Sequence, residues 1–168
     1  MSRRLNSLLA LSALALAAGG GVAQEPGSEA WNERRAALFS QVCMGTAPAY
    51  AGFAETARAA GLTLQDGVWV AEPEIVVNLV GHDGFCDCIM SVSAPDQAAM
   101  VDAIFDRLMA DHGAEFTGVP DGLASVAPFR REGVEVVSIL EPREYDGTKW
   151  LSARTAVVGT CPALEAGE

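Results

Sequence analysis

Cys86-Asp87-Cys88 constrains this chain more than any other segment. Residues i and i+2 of a strand face the same side, so both thiols can reach whatever stacks on that side. Cys43 and Cys161 bring the cysteines to 4. An even number in an exported chain reads as two disulfides. Three pairings exist, and the sequence does not choose among them. Strand geometry leans toward Cys43 with one member of the pair and Cys161 with the other. Each loop closed in this way is worth up to about 4 kcal/mol in the chain-entropy account, comparable with a domain's whole net stability.

Export is read from the N-terminus. Arg3 and Arg4 precede an uncharged run of apolar and small residues from Leu8 to Ala18, and Gly21-Val22-Ala23 offers a small-residue cleavage site. These are the three parts of a secretory signal peptide. The run is shorter than the ~20 apolar residues that span a bilayer, which argues against a membrane anchor. Ser2-Arg3-Arg4 also hints at twin-arginine export, although polar Asn6 and Ser7 follow. The expected division is a signal peptide over 1–23, a loose tail over 24–29, one domain over 30–161 and a loose tail over 162–168. No second membrane segment is expected, because Glu72, Pro73, Glu74 and Asn78 interrupt the apolar stretch from Val68 to Val80. The expected product lies in the periplasm or outside the cell.

Cleavage sharpens the charge. Losing Arg3 and Arg4 from 11 basic residues leaves 9 against 22 acidic ones, a formal charge of −13. Such a surface repels nucleic-acid phosphates and anionic lipid. It suits a basic protein partner, whose encounter opposite charge would speed.

Periodicity gives the fold class. Trp31, Arg35, Leu38 and Val42 make one helical stripe, with Phe39 and Cys43 beside it. Pro48 is placed to open a second helix, with Tyr50, Phe53, Ala54 and Ala57 on its apolar face. Val68-Trp69-Val70, Ile75 to Val80 and Phe85 to Val92 read as strands, the last two joined through Asp83-Gly84 as a hairpin. Ser93-Ala94-Pro95-Asp96 opens a third helix, with Ser93 as its expected cap and Met100, Val101, Ile104, Phe105, Leu108 and Met109 on one face. Asp102, Asp106 and Asp111 line the opposite, wet side. Phe116 is read as the start of a strand, Pro120-Asp121-Gly122 as a turn, and Leu123 to Phe129 shows no clear period. Val134 to Leu140 is a strand, Pro142 to Lys149 a polar loop, and Trp150 to Val158 a final strand. The class is α+β: a single domain with a mainly antiparallel sheet of about five strands. Two or three helices pack on one face, stapled by disulfides.

Sharper chemistry finds little support in these residues. A Cys86–Cys88 disulfide would be strained and oxidising, but the pair lies in a strand, not at a helix N-terminus where a thiolate is stabilised. His82 with Cys86 and Cys88 is a weak candidate metal set for zinc or copper, and oxidised cysteines do not ligate as thiolates. His112 stands at a helix end, where a positive ring would suit the dipole. No Gly-x-Ser-x-Gly elbow, phosphate loop or cofactor motif is present, and no cofactor is expected. Arg130-Arg131 is too small a basic patch for nucleic acid. His82, Asp83 and Asp87, grouped near the hairpin turn, are the candidate binding residues.

Val42-Cys43-Met44, the stretch from Tyr50 to Leu62, and Cys86-Asp87-Cys88 followed by Ser93-Ala94-Pro95-Asp96 resemble small uncharacterised exported proteins of proteobacteria. The resemblance covers about residues 35–110. It implies an exported, disulfide-containing domain and supplies no activity. The expected function is therefore binding or support without catalysis, with inhibition of a basic enzyme such as a lysozyme as a specific form. Thiol–disulfide exchange or metal handling through Cys86 and Cys88, or an enzyme of other chemistry, is the alternative. The processing reading has a direct check. N-terminal sequencing or intact mass of protein from the exporting cell should give Gln24 as the first residue, and an uncleaved chain in the membrane fraction would refute it.

Overall fold

Period-two apolar runs dominate the second half of the chain, and they zip into one antiparallel sheet. The computed structural model describes residues 25–71, 74–82, 84–118 and 125–165. Its strands are β1 (Thr63–Gln65), β2 (Val68–Val70), β3 (Ile75–His82), β4 (Phe85–Ser93), β5 (Val126–Arg131), β6 (Val134–Tyr145) and β7 (Thr148–Val158). They lie in the order β1-β2-β3-β4-β7-β6-β5, every pair antiparallel. Four helices accompany them: α1 (Glu29–Phe39), α2 (Phe53–Ala59), α3 (Gln97–His112) and the short α4 (Pro162–Glu165). The class is α+β as expected, but the seven strands and four helices among the described residues exceed the expected count of about five strands and two or three helices.

The additional strands come from tight turns. Asp66-Gly67, Glu132-Gly133 and Asp146-Gly147 each place two consecutive residues at positive φ. That is the hairpin turn whose twist matches the flanking strands. Asp146-Gly147 therefore makes a hairpin of the segment expected to be a loop over Pro142–Lys149. Pro142 is tolerated in β6 for a local reason. Leu140 N–H donates to Ser125 O on the β5 side, so Pro142, two residues on, turns its missing N–H to that same side. It already lies past the Val126–Ile139 pair, the last of the β5–β6 ladder, so no ladder bond is lost.

One face of the sheet carries the core. Cys86, Cys88, Met90 and Val92 of β4 pair in register with Val157, Thr155, Ala153 and Leu151 of β7, and all eight are buried. The helices cover this face. Cys43 is bonded to Cys88 and Cys161 to Cys86, with Cα–Cα distances of 5.3 and 4.9 Å. Tyr50 reaches between the layers, its hydroxyl donating to Thr155 O, and burial pushes its phenol pKa well above the ordinary value. Two disulfides fit an oxidising compartment. Among the described residues no helix is long and apolar enough to cross a membrane.

Local details differ from expectation for identifiable reasons. After Phe39 the first helix widens into a π-helical turn, Ser40–Met44, closed by Gly45 N–H donating to Ser40 O. A Cβ on Gly45 would stand 2.5 Å from Gln41 O, so only glycine fits there. The wide turn buries Ser40, Val42, Cys43 and Met44 together. Arg35 is buried on the apolar stripe because its guanidinium lies flat on the Trp31 ring, 3.3 Å from the centroid. Pro48 does not open α2. It follows a cis bond in a turn, and the helix starts at Phe53 after Tyr50 and Gly52 take positive φ. Ser93 does not cap α3: its N–H still donates to Glu74 O, and Asp96 is the cap, accepting from Ala99 N.

The expected tails are structured where they are described. Ser28 caps α1 through Trp31 N. The tail expected from residue 162 begins as α4, whose Ala163 is buried. Gly81 admits α4, since a Cβ there would lie 3.2 Å from Cys161 Cβ and 3.1 Å from Leu164 Cδ1. The signal peptide, the Asp121-Gly122 turn and residues 166–168 lie outside the described residues. The Cys43–Cys88 bond spans 45 residues, so replacing both cysteines by alanine should lower unfolding free energy by ~2–5 kcal/mol. Denaturant titration in non-reducing buffer measures this, and an unchanged midpoint would show that the bond does not stabilise the fold.

Candidate functional site

The alternation that buries Cys86 and Cys88 sends Asp87 to the opposite face of the sheet, which no described helix covers. Asp87 was expected near an exposed turn, but it is only 3% exposed. The correction has a simple cause. β3 and β4 stay paired as far as His82 and Phe85, so Asp87 lies inside the sheet. Its Oδ2 accepts from His82 Nε2 at 3.2 Å and lies 3.7 Å from Arg154 Nη1. Its Oδ1 has no partner among the described residues, and neither has Arg154 Nε. His82 is half exposed and stacks on Phe85, with ring centroids 5.5 Å apart. Asp83 lies outside the described residues. Around this cluster runs a groove of about 360 Å³, walled by Phe85, Val137, Ile139, Ala156 and Val158, with Glu135 beside them.

The cysteines of this region are paired with distant partners. The two cysteines do not bond each other, so the strained pair does not form. Both are buried as disulfides on the face opposite His82, so the His82, Cys86 and Cys88 ligand set does not assemble. Among the described residues no three His, Cys, Asp or Glu side chains are placed to hold a metal ion.

A second polar cluster joins the helices to β5. The Ser40 hydroxyl donates to Asp111 Oδ2 at 2.7 Å, and His112 Nε2 lies 3.2 Å from the same hydroxyl oxygen. Arg131 Nη2 lies 2.8 Å from His112 Nδ1, and its other nitrogens reach Glu115 and the carbonyl of Met44. Serine, histidine and aspartate thus meet, but in the wrong order for nucleophile activation. Arginine can only donate, so Nδ1 accepts and the ring proton sits on Nε2, where it donates to Ser40. A ring in that tautomer cannot take the serine proton. Ser40 is also buried. Burial first, then the Arg131 charge, hold the His112 pKa below its ordinary value. The ring is therefore neutral, which corrects the expectation of a positive charge answering the helix dipole.

A third feature is the seam between α1 and α3. Glu29, Glu33, Asp102 and Asp106 line a groove of about 490 Å³ with Asn32. Asn32 is buried and its Oδ1 has no partner among the described residues. Arg107 answers part of this charge through Glu33 and Asp111. Asp111 is therefore not the free, solvated acid that its place on the helix predicts.

Comparison with known proteins finds no family model, no curated protein and no solved structure that matches this chain. The site must be read from its own chemistry. His82 and Asp87 are legible in the sequence as a pair near the hairpin, whereas Arg154 and Glu135 are not singled out there. The available signal for Arg154 is its place in the alternation of Trp150, Ser152, Arg154 and Ala156, a lone charge on an otherwise apolar and small-residue face.

The neutral state of His112 has a consequence for stability. Its folded pKa is depressed, so below the ordinary value of 6.5 the unfolded chain binds more protons than the folded one. The stability it contributes is complete above that value and is lost as pH falls through it. Asp111, also depressed, acts only below the ordinary carboxylate range. The urea midpoint should therefore decline between about pH 7 and pH 5, and His112→Gln should flatten that decline. Equal slopes for the two proteins would exclude His112 as the cause.

Proposed function

We propose that this chain is an exported binding protein that works through the uncovered face of its sheet rather than through catalysis. The observation that carries this reading is the groove centred on Asp87 and Arg154, where a buried carboxylate and a half-buried guanidinium stand among apolar walls. An apolar concavity with a few convergent polar groups is the usual form of a ligand site. Rigid strands make better platforms than loops for such a site, and β4 and β7, which carry Asp87 and Arg154, are central in the sheet. The disulfides support the exported part of the reading.

A second reading keeps the basic protein partner, including a basic enzyme, and moves its contact surface. Asp87 is paired and buried, so the hairpin is not where the negative charge is concentrated. The acid-lined seam between α1 and α3 is the surface that would meet a basic partner. Its association would weaken as salt screens the surface, with a Debye length of about 10 Å at 0.1 M.

The two readings separate in one experiment. Mature chain, an Ile139→Glu variant and a Glu29→Gln/Asp102→Asn variant are immobilised and exposed to the same periplasmic extract. If the sheet face binds, Ile139→Glu loses whatever the parent retains, and the acid-neutralised variant keeps it. The reverse pattern, with retention that fades in salt, would replace the first reading by the second. Melting curves of all three proteins confirm that each is folded.

A further inference from the structure

We infer that the groove on the uncovered sheet face binds an apolar α-amino acid as its zwitterion. The ammonium would sit at Asp87 and Glu135, and the carboxylate at Arg154. This rests on the reading that the uncovered face is the binding surface.

The lining supports this ligand class over its neighbours. The groove holds two acids, Asp87 and Glu135, and one permanent cation, Arg154, with His82 at the rim. A simple anion would meet two carboxylates and a chain of net charge −11. A simple cation would meet Arg154, whose Nη1 lies 3.7 Å from Asp87. A molecule carrying both charges on groups attached to one carbon satisfies both sets. The hydrogen-bonding state of the groove is also incomplete in a matching way. Asp87 is nearly fully buried, with one carboxylate oxygen lacking a partner, and Arg154 keeps an N–H without one among the described residues. Both atoms are shielded from solvent, so a ligand reaches them only if the Asp87–Arg154 pair shifts as it binds, supplying the donor and the acceptor that the two atoms lack. The planar guanidinium fork suits a carboxylate.

Size and walls complete the match. About 360 Å³ lies at the small end of ligand sites, and Phe85, Val137, Ile139 and Val158 give an aliphatic or aromatic side chain an apolar bed. Glycine offers nothing to those walls.

The test is a titration of mature, isotope-labelled protein followed by amide resonances, with L-leucine and L-phenylalanine as probes. Saturable shifts confined to β4, β6 and β7 at millimolar concentration are expected. Leucinamide, which keeps only the cation, N-acetyl-leucine, which keeps only the anion, and glycine should each bind at least about tenfold more weakly. Arg154→Gln should weaken leucine binding by a similar factor, and Arg154→Lys should restore part of it. Glu135→Gln, at an exposed position, serves as the milder variant should Arg154→Gln unfold, and it should weaken leucine more than N-acetyl-leucine. Failure of leucine to shift the groove, or equal binding by N-acetyl-leucine, would overturn the ligand class. If Ile139→Glu still abolishes retention from extract in that event, the binding face stands and only its occupant is wrong.

Discussion

The covalent bonds from β4 organise this molecule. Cys86 and Cys88 point to one side of a central strand, and each fastens a distant part of the chain to it. One holds the π-helical turn that ends the first helix, and the other holds the C-terminal turn. Both bonds are buried, and around them lie Tyr50, Val42, Met44 and the inner faces of β3 and β7. The layers are thus joined in the middle of the sheet. Loop closure on this scale offsets conformational entropy that a core of this size would otherwise carry alone.

Sidedness follows from that arrangement. Helices, disulfides and the Ser40–His112–Arg131 cluster all occupy the same side, so it is committed to structure. Even the triad-like meeting of serine, histidine and aspartate serves packing there, because Arg131 fixes the imidazole in the unreactive tautomer. The opposite side carries Val137, Ile139 and Ala156, polar residues such as Asn78 and Ser152, and one buried charge cluster. What is free to interact is therefore the outer surface of the sheet or the outer, acidic surface of the helices.

The class of fold was legible because it rests on periodicity, which is local. The helical stripe from Trp31, the β3–β4 hairpin and the amphipathic α3 all announce themselves in single windows of sequence. Strand count was not legible, because Asp66-Gly67 and Glu132-Gly133 join segments too short or too irregular to show alternation on their own. Helix starts failed for another reason. Pro48 and Ser93 have the right local chemistry, but Tyr50 is drawn to Thr155 and Ser93 to Glu74, and tertiary bonds overrode the local preference. For the site, His82 and Asp87 could be paired in advance by proximity along the chain. Arg154 stands far from them in sequence and joins them only through the β4–β7 register, which no single window contains.

That register has a consequence for how the chain reaches its native state. The three residues Cys-Asp-Cys alternate across the sheet, so a slip of one position in β4 would turn Asp87 into the core and both thiols toward solvent. Neither Cys43 nor Cys161 could then be reached. Oxidation thus discriminates between registers: the two bonds can be sealed only on a strand that has already found its correct neighbours, whereas a slipped strand holds its thiols away from Cys43 and Cys161.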